Sequence, residues 1–478
     1  MGEKVFTNLL WRFSERFGAH LVSFVVTVVL ARILDPETFG RIALITAFTN
    51  IIQVFIDGGL GNALIQKKDA DDLDYSSVFL FNCGFCVAFY IALYYFAPKI
   101  AGYYHDEQMI PLLRVAGLVI IVSGVKNVQQ AYISKTLQFK LFFYATTIGT
   151  VISAFVGIWL AYSGFGAWAL VGQILTNAIV DTIVVWIVSE WKPKKMFSWD
   201  RLSVLLSYGW KLLVSNLIDR MYANLRQLLI GKLFSSSDLA YYNRGNQVPR
   251  MIVDNVNTSI DSVLFPIMSK EQECLEREKE IARRAIVISN YIMAPLMLGI
   301  AAMAEPLVRL LLTEKWLPCI PYLRIFCVFY IFQPIHTANT NAIKALGRSD
   351  LRLKQEIVTK IVGIISICAA LPFGALAIAY SAFVANFIIL YINSWPNRRL
   401  IGYTFGEQIT DIMPGSLLAI VMSIVVYSMS FLRIPLFLLI PLQIVFGVMI
   451  YVCGSILLKL DSFYYLAGIL KKLKRNGK

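Results

Sequence analysis

Charged residues are scarce in this chain. They make up 15% of 478 residues, against 58% hydrophobic, and the mean hydropathy is +0.65. An ordinary soluble domain carries about a quarter of its residues as charges, so a soluble globular fold is excluded. Histidine is rarer still, with three copies, and the seven cysteines follow no framework spacing. Cys83 and Cys86 form a C-x-x-C inside an apolar run with no further ligand nearby, which reads as packing rather than a metal or redox pair. No G-x-x-x-x-G-K-[ST] stretch is present, so no phosphate-cradling nucleotide loop is expected. No polar stretch is long enough for a separate soluble domain. The first apolar run is too long, and lacks the small-residue site, for a cleaved signal peptide.

What is abundant is length of apolar run. Segments of about 18 or more apolar residues are long enough to span a bilayer. Fourteen are expected, at roughly 9–31, 39–58, 77–97, 110–133, 142–162, 166–189, 204–233, 241–267, 285–304, 321–343, 357–372, 375–395, 411–431 and 435–457. The net charge of +14 is distributed as topology. Most loop Lys and Arg fall on one side, from Lys67 and Lys68 to Arg348, Arg352 and the tail around Lys471, while the other side holds few, such as Arg32, Lys99 and Arg309. This positive-inside bias places both termini in the cytoplasm and argues against a nucleic-acid partner. Phe463 to Leu473, followed by Lys474 and Arg475, reads as an interfacial helix.

The second half echoes the first at an offset near 200. Ile110-Pro111-Leu112-Leu113-Arg114-Val115 matches Ile320-Pro321-Tyr322-Leu323-Arg324-Ile325, and Phe165-Gly166-Ala167-Trp168-Ala169 matches Phe373-Gly374-Ala375-Leu376-Ala377. Six spans separate the mates, so the halves enter the membrane the same way round. That is a parallel-repeat transporter architecture with the site between lobes. The expected fold is all-α and polytopic: residues 1–195 as a six-helix lobe, 196–400 as its mate, and 401–478 as two extra spans with a basic tail.

Polarity repeats as well. Asn243, Gln247, Arg250, Asp254, Asn257 and Asp261 fall at steps of four and three, one stripe of a helix. The second span carries the matching stripe Thr46, Asn50, Gln53 and Asp57. The first carries Arg12, Arg16, His20, Ser23 and Thr27, mated at offset 200 by Asn216, Arg220, Ala223 and Gln227 from position 16 on. Ser123, Lys126, Asn127 and Gln130 correspond to Gln333, His336, Thr337 and Thr340. A polar stripe in a membrane helix is costly unless it faces water or a partner. One shared wet cavity is therefore expected, with more bases (Lys211, Arg226 and Arg244 among them) than acids, and so an anionic cargo. Arg12, Arg16, His20, Lys126, Arg220, Arg226, Arg250, Gln247 and Asn257 are the expected substrate contacts. Arginine's fork suits a phosphate, and the amides suit sugar hydroxyls. Asp57, Asp254 and Asp261 either bind a coupling Na⁺ or H⁺ or form ion pairs such as Asp254 with Arg250; Asp219 with Lys211 or Arg226 is another expected pair. No other cofactor is expected.

Several stretches resemble the polysaccharide-transporter branch of the multidrug/oligosaccharidyl-lipid/polysaccharide flippase superfamily, the O-antigen and exopolysaccharide flippases. They are Leu30-Ala31-Arg32-Ile33-Leu34 with Pro36 and Phe39-Gly40; Asp57-Gly58-Gly59-Leu60 with Ala63-Leu64-Ile65-Gln66; Phe139-Lys140; and Gly164-Phe165-Gly166-Ala167-Trp168-Ala169-Leu170. The resemblance implies two six-helix bundles in a V with two extra helices. It implies transport, not catalysis, of undecaprenyl-pyrophosphate-linked oligosaccharide across a bacterial inner membrane, with a polymerase and export machinery as partners. The alternative is a multidrug or organic-cation antiporter of the same superfamily, expected to have a cavity rich in acids and aromatics.

Overall fold

The computed structural model describes Gly18 and residues 22–57, 59–432 and 434–476, and among these there is no strand. The chain falls into two compact units, Met1–Ala240 and Tyr241–Lys478.

In the first unit the helices are α1 (Val22–Ile33), α2 (Pro36–Asp57), α3 (Leu60–Gln66), α4 (Asp72–Tyr104), α5 (Met109–Ala116), α6 (Leu118–Lys135), α7 (Phe139–Tyr162), α8 (Ala167–Val188) and α9 (Trp199–Leu233). α7 packs along α8, α4 and α8 pack on α6, and α9 packs on α2, α3 and α4. The expected span at 110–133 is broken at Gly117 into α5 and α6. The second span is broken after Asp57, where two glycines separate α2 from α3. Gly59 is there for closeness: a Cβ on it would lie 2.7 Å from the carbonyl oxygen of Gly209 in α9. Small residues let helix backbones approach in this way. Gly59→Ala is expected to force α3 from α9 and to cost about 1–3 kcal/mol, read as a lower midpoint of thermal unfolding. Gly84→Ala, where a Cβ meets nothing within 4 Å, is the matched substitution that should leave the midpoint unchanged.

The segment from Glu190 to Arg201 joins the halves of the sequence repeat, and in the first unit it is strapped to the start of α4. Trp191 Nε1 donates to Asp72 Oδ1 at 3.1 Å, Lys194 N to Ser76 Oγ at 3.0 Å and Ser198 N to Ser77 Oγ at 2.9 Å. Lys67 Nζ reaches both oxygens of the buried Asp74, at 2.7 and 2.6 Å. Asp71 caps α4 by accepting from Asp74 N at 3.0 Å. That amide, before any side chain, holds the Asp71 carboxyl below its ordinary range. Beneath the strap lies a core of Leu60, Leu64, Tyr75, Val128, Trp191, Leu202 and Leu205.

The second unit holds α10 (Ser236–Lys270) from Tyr241 onward, then α11 (Leu275–Ala302), α12 (Ala304–Leu311), α13 (Ile320–Ile331), α14 (Gln333–Ala345), α15 (Ser349–Ala370), α16 (Ala375–Ser394), the single turn α17 (Asn397–Leu400), α18 (Phe405–Ser428), α19 (Leu436–Leu457) and α20 (Asp461–Asn476). The last two spans lack a mate in the repeat, yet they are firmly held. Lys279 meets Glu407 at 3.0 Å and Arg283 pairs with Asp411. Ser416 Oγ lies 2.9 Å from Asn290 Oδ1, and the Tyr451 hydroxyl donates to the Tyr291 carbonyl at 2.9 Å. α11 is thus the post on which α18 and α19 are mounted.

The repeat read from the sequence has a structural counterpart. Arg114 and Arg324, its mates at offset 210, each donate from Nε to a main-chain carbonyl, of Tyr94 and of Ala301, both at 3.3 Å. Each guanidinium lies over a tyrosine ring, Tyr94 at 4.0 Å and Tyr427 at 5.3 Å. Gly166 and Gly374 precede α8 and α16 with φ of 56° and 100°, a backbone region only glycine enters freely.

Eleven helices among the described residues are long and apolar enough to cross a membrane, against fourteen expected. α9 and α10 are not among them, although each has 35 residues and so extends about 52 Å. Their polar stripes interrupt the apolar run, with Lys211, Asp219, Arg220 and Arg226 in one and Arg244, Arg250, Asp254 and Asp261 in the other. The first expected span is described as a helix only over Val22–Ile33, too short to qualify.

Candidate functional site

The polar stripe of α2 meets that of α9. Asn50, Gln53 and Val54 from α2 and Asn216, Asp219, Arg220 and Ala223 from α9 line a cavity of about 410 Å³ in the first unit. Helical spacing sets the lining: 216, 219, 220 and 223 share one side of α9, and 50, 53 and 54 share one side of α2. Asn224 Nδ2 donates back to the Arg220 carbonyl at 2.8 Å, which turns that amide away from the lining. The Arg220 side chain is exposed, and it makes no ion pair among the described residues. A guanidinium beside three amides, in a cavity of this size, can grip an oxyanion with two parallel hydrogen bonds while the amides take hydroxyls.

The expected contacts divide sharply. Arg12, Arg16 and His20 lie outside the described residues, as does the side chain of Asp57. Arg220 lines the cavity. Arg226 lies half-buried one and a half turns further on, with its guanidinium 6.0 Å from the Tyr222 ring and its Nε without a partner among the described residues. Lys126 is engaged elsewhere: its ammonium is 2.6 Å from Asp181 Oδ2, a pair bridging α6 and α8 with side chains 16% and 13% exposed. Asp181, the one charged residue of α8, is thereby engaged.

In the second unit, α10 turns Arg250 and Asp254 outward as a pair at 3.4 Å, 60% and 64% exposed. Asp261 is exposed and Asn257 is half-buried, its Oδ1 without a partner among the described residues. Gln247 accepts from Arg244 at 2.7 Å, and Arg244 is buried with its guanidinium 4.9 Å from the Trp316 ring. The mate of Lys126 is His336, buried with Nε2 3.0 Å from Asn386 Oδ1 and Nδ1 3.0 Å from Asn393 Nδ2. One acceptor and one donor facing the two ring nitrogens suit a neutral imidazole. The repeat therefore places an ion pair in one unit and a neutral hydrogen-bonded histidine at the matching place in the other.

A family model described as polysaccharide biosynthesis protein matches residues 29–321, more than half of the chain. The chain belongs to that family. Among curated polysaccharide biosynthesis proteins it is 25% identical, over 392 residues and 80% of each chain, to the teichuronic acid biosynthesis protein TuaB of Bacillus subtilis (strain 168). It is 24% identical over 321 residues, 67% of this chain and 65% of the other, to the succinoglycan biosynthesis transport protein ExoT of Rhizobium meliloti (strain 1021). The solved structure of a lipid II flippase, MurJ, in an inward closed conformation aligns over 95% of this chain and 99% of its own with a TM-score of 0.78 at 15% identity. An inward-facing multidrug resistance transporter of the MATE family aligns over 80% and 94% with a TM-score of 0.63 at 13% identity. The fold of this polysaccharide biosynthesis protein is therefore that of multi-pass membrane transporters, as the sequence motifs indicate.

Sequence reasoning short-listed Arg220 but not its neighbours in the cavity of this family member. Asn50, Gln53 and Asn216 were legible as stripe members, and the signal that could have promoted them was the match between the two stripes. Asp219, expected as a pairing residue, also lines the wall.

Proposed function

We propose that the chain is a flippase carrying an undecaprenyl-pyrophosphate-linked oligosaccharide from the inner to the outer leaflet of a bacterial cytoplasmic membrane, for surface polysaccharide synthesis. In this reading fourteen spans form two six-helix bundles and two extra helices, both termini are cytoplasmic, and access alternates between the two sides. The observation that carries the reading is Arg220 in a cavity walled by Asn50, Gln53 and Asn216, with no carboxylate paired to it among the described residues. Arg220 takes the pyrophosphate and the amides take sugar hydroxyls; Arg12, Arg16, His20, Arg226, Arg250, Gln247 and Asn257 extend the path. An inside-negative potential favours outward movement of the anion by about 2.3 kcal/mol per charge per 100 mV. Asp57, Asp254 and Asp261 are the coupling acids for Na⁺ or H⁺. Membrane lipids surround the machine, and a polymerase receives the product.

The presence of Asp219 in the same wall, and the fold shared with the multidrug transporter, favour organic-cation antiport as the second reading. One experiment separates them. The purified chain is reconstituted in vesicles with a lipid-linked oligosaccharide, and the glycan exposed to an impermeant glycosidase is measured with and without Na⁺, H⁺ and voltage gradients. The expected result is a gain of exposed glycan that depends on the chain and grows with a favourable potential. No gain over empty vesicles, together with uptake of a lipophilic cation against a proton gradient, would replace the flippase reading with the antiporter.

A further inference from the structure

A second cavity of the first unit has a different chemistry. It is also about 410 Å³ and is walled by Phe48 of α2, Lys99, Ile100, Tyr103 and Tyr104 of α4, and Leu225, Leu228, Leu229 and Lys232 of α9. α4 begins at the strap near Asp72, so residues 99–104 lie at the opposite end of the unit. No asparagine, glutamine, serine, threonine or acid is in this wall. Its interior is aliphatic and aromatic, and its polar groups are two lysines and two tyrosines. Lys232 lies with its ammonium 4.2 Å from the Tyr103 ring, hydrogen-bonded to the Tyr103 carbonyl and 3.4 Å from His105 Nε2. Lys99 is exposed with its ammonium 5.5 Å from the Phe96 ring. Neither lysine makes an ion pair among the described residues; the nearby acid Asp106 is taken by Arg41.

An apolar pocket bordered by cations without acids suits an amphiphile with one anionic head. A basic recess between membrane helices is how anionic lipid heads are held, and long lysines reach from apolar surface to the polar boundary in this manner. We propose that this pocket is a binding site for an anionic phospholipid of the surrounding bilayer, with the phosphate on Lys99 and Lys232 and the first methylenes against Leu225, Leu228, Leu229 and Phe48. The wall has none of the amides that line the Arg220 cavity and is mostly apolar, which argues for a simple phospholipid over the glycan-bearing cargo. The lipid bridges α4 and α9, which are joined here by polar bonds from the Tyr104 hydroxyl to the Leu228 carbonyl at 3.4 Å and from Lys232 to the Tyr103 carbonyl. It would therefore fasten α9, the helix that carries Arg220, to its own unit. The site stands whether or not the flippase reading does.

The test is lipid binding to the purified full chain in detergent, by native mass spectrometry and thermal unfolding, with phosphatidylglycerol as probe. The expected result is a bound phosphatidylglycerol that raises the unfolding midpoint, and a fall in its affinity of about thirtyfold in K99Q/K232Q. K99R/K232R should retain binding, and K99Q/K232Q without added lipid should unfold at the midpoint of the unaltered chain, which separates loss of the site from misfolding. K471Q/K472Q, with two basic residues removed from the tail, should also retain it. Equal affinity in K99Q/K232Q, equal binding of phosphatidylcholine with the same chains, or equal binding of inorganic phosphate alone would each overturn the proposal. Preferential retention of undecaprenyl pyrophosphate over phosphatidylglycerol would overturn it in favour of the cargo.

Discussion

Arg220→Ala is expected to lower glycan translocation by about tenfold to a hundredfold while leaving the folded protein at its normal level. The magnitude follows from removing one or two charge-assisted hydrogen bonds, worth about 1.5–3 kcal/mol each, from the grip on an anion. The stability of the variant follows from placement. The Arg220 side chain is exposed on the cavity wall, and its carbonyl, which holds Asn224, is untouched by the substitution. Arg220→Lys should fall between, since an ammonium keeps the charge but loses the two-pronged geometry. The measurement is glycan accessible to an impermeant glycosidase in reconstituted vesicles, normalised to inserted protein. Translocation by Arg220→Ala at the normal rate would remove Arg220 from the site.

The second large effect concerns Lys126 and Asp181. Removing one member of a fully buried pair leaves an uncompensated charge at about 3–5 kcal/mol, and for this part-buried pair the cost is expected at or below the low end of that range, whereas replacing both with apolar groups of similar size is often close to neutral. Lys126→Met and Asp181→Leu are each expected to lower the unfolding midpoint strongly, and the double variant to recover most of the loss. This pattern also bears on Lys126 as a cargo contact. A double variant that is stable and still transports normally would leave Lys126 a purely structural role. A stable double variant that does not transport would give the ammonium a second partner in the working cycle. Two stable single variants would show that the pair at 2.6 Å contributes little to holding α6 on α8.

Much of this is legible in the sequence, and the reasons are physical. Helical period alone places Asn50 with Gln53, and Asn216 with Arg220, on the same side of their helices, and the structure turns those two sides toward one cavity. The repeat at Arg114 and Arg324 was legible because two prolines and two arginines keep register, and both arginines close the same kind of contact. What periodicity cannot give is the partner of a stripe. Spacing pairs Asp219 with cations of its own helix and offers Asp181 no partner, because the packing of α6 on α8 that brings Lys126 within 2.6 Å of Asp181 is tertiary. The anchoring of α18 on α11 was illegible for a related reason: Asp411 and Ser416 gain their meaning only from Arg283 and Asn290, more than a hundred residues away. The pocket of Lys99 and Lys232 is not legible in the sequence because its lysines lie far apart in the chain, on α4 and α9, and only the packing of those helices brings them to one wall.

The strap from Trp191 to Arg201 and the contact of Gly59 with Gly209 have an implication for how the polypeptide is built. The first copy of the repeat is expected to end near residue 195, but the compact unit runs on to Ala240 and so includes α9. A nascent chain halted after α8 would leave the groove at Gly59 open and the Arg220 cavity with only one wall. Completion of the amino-terminal half therefore waits on a helix encoded by the second copy of the repeat.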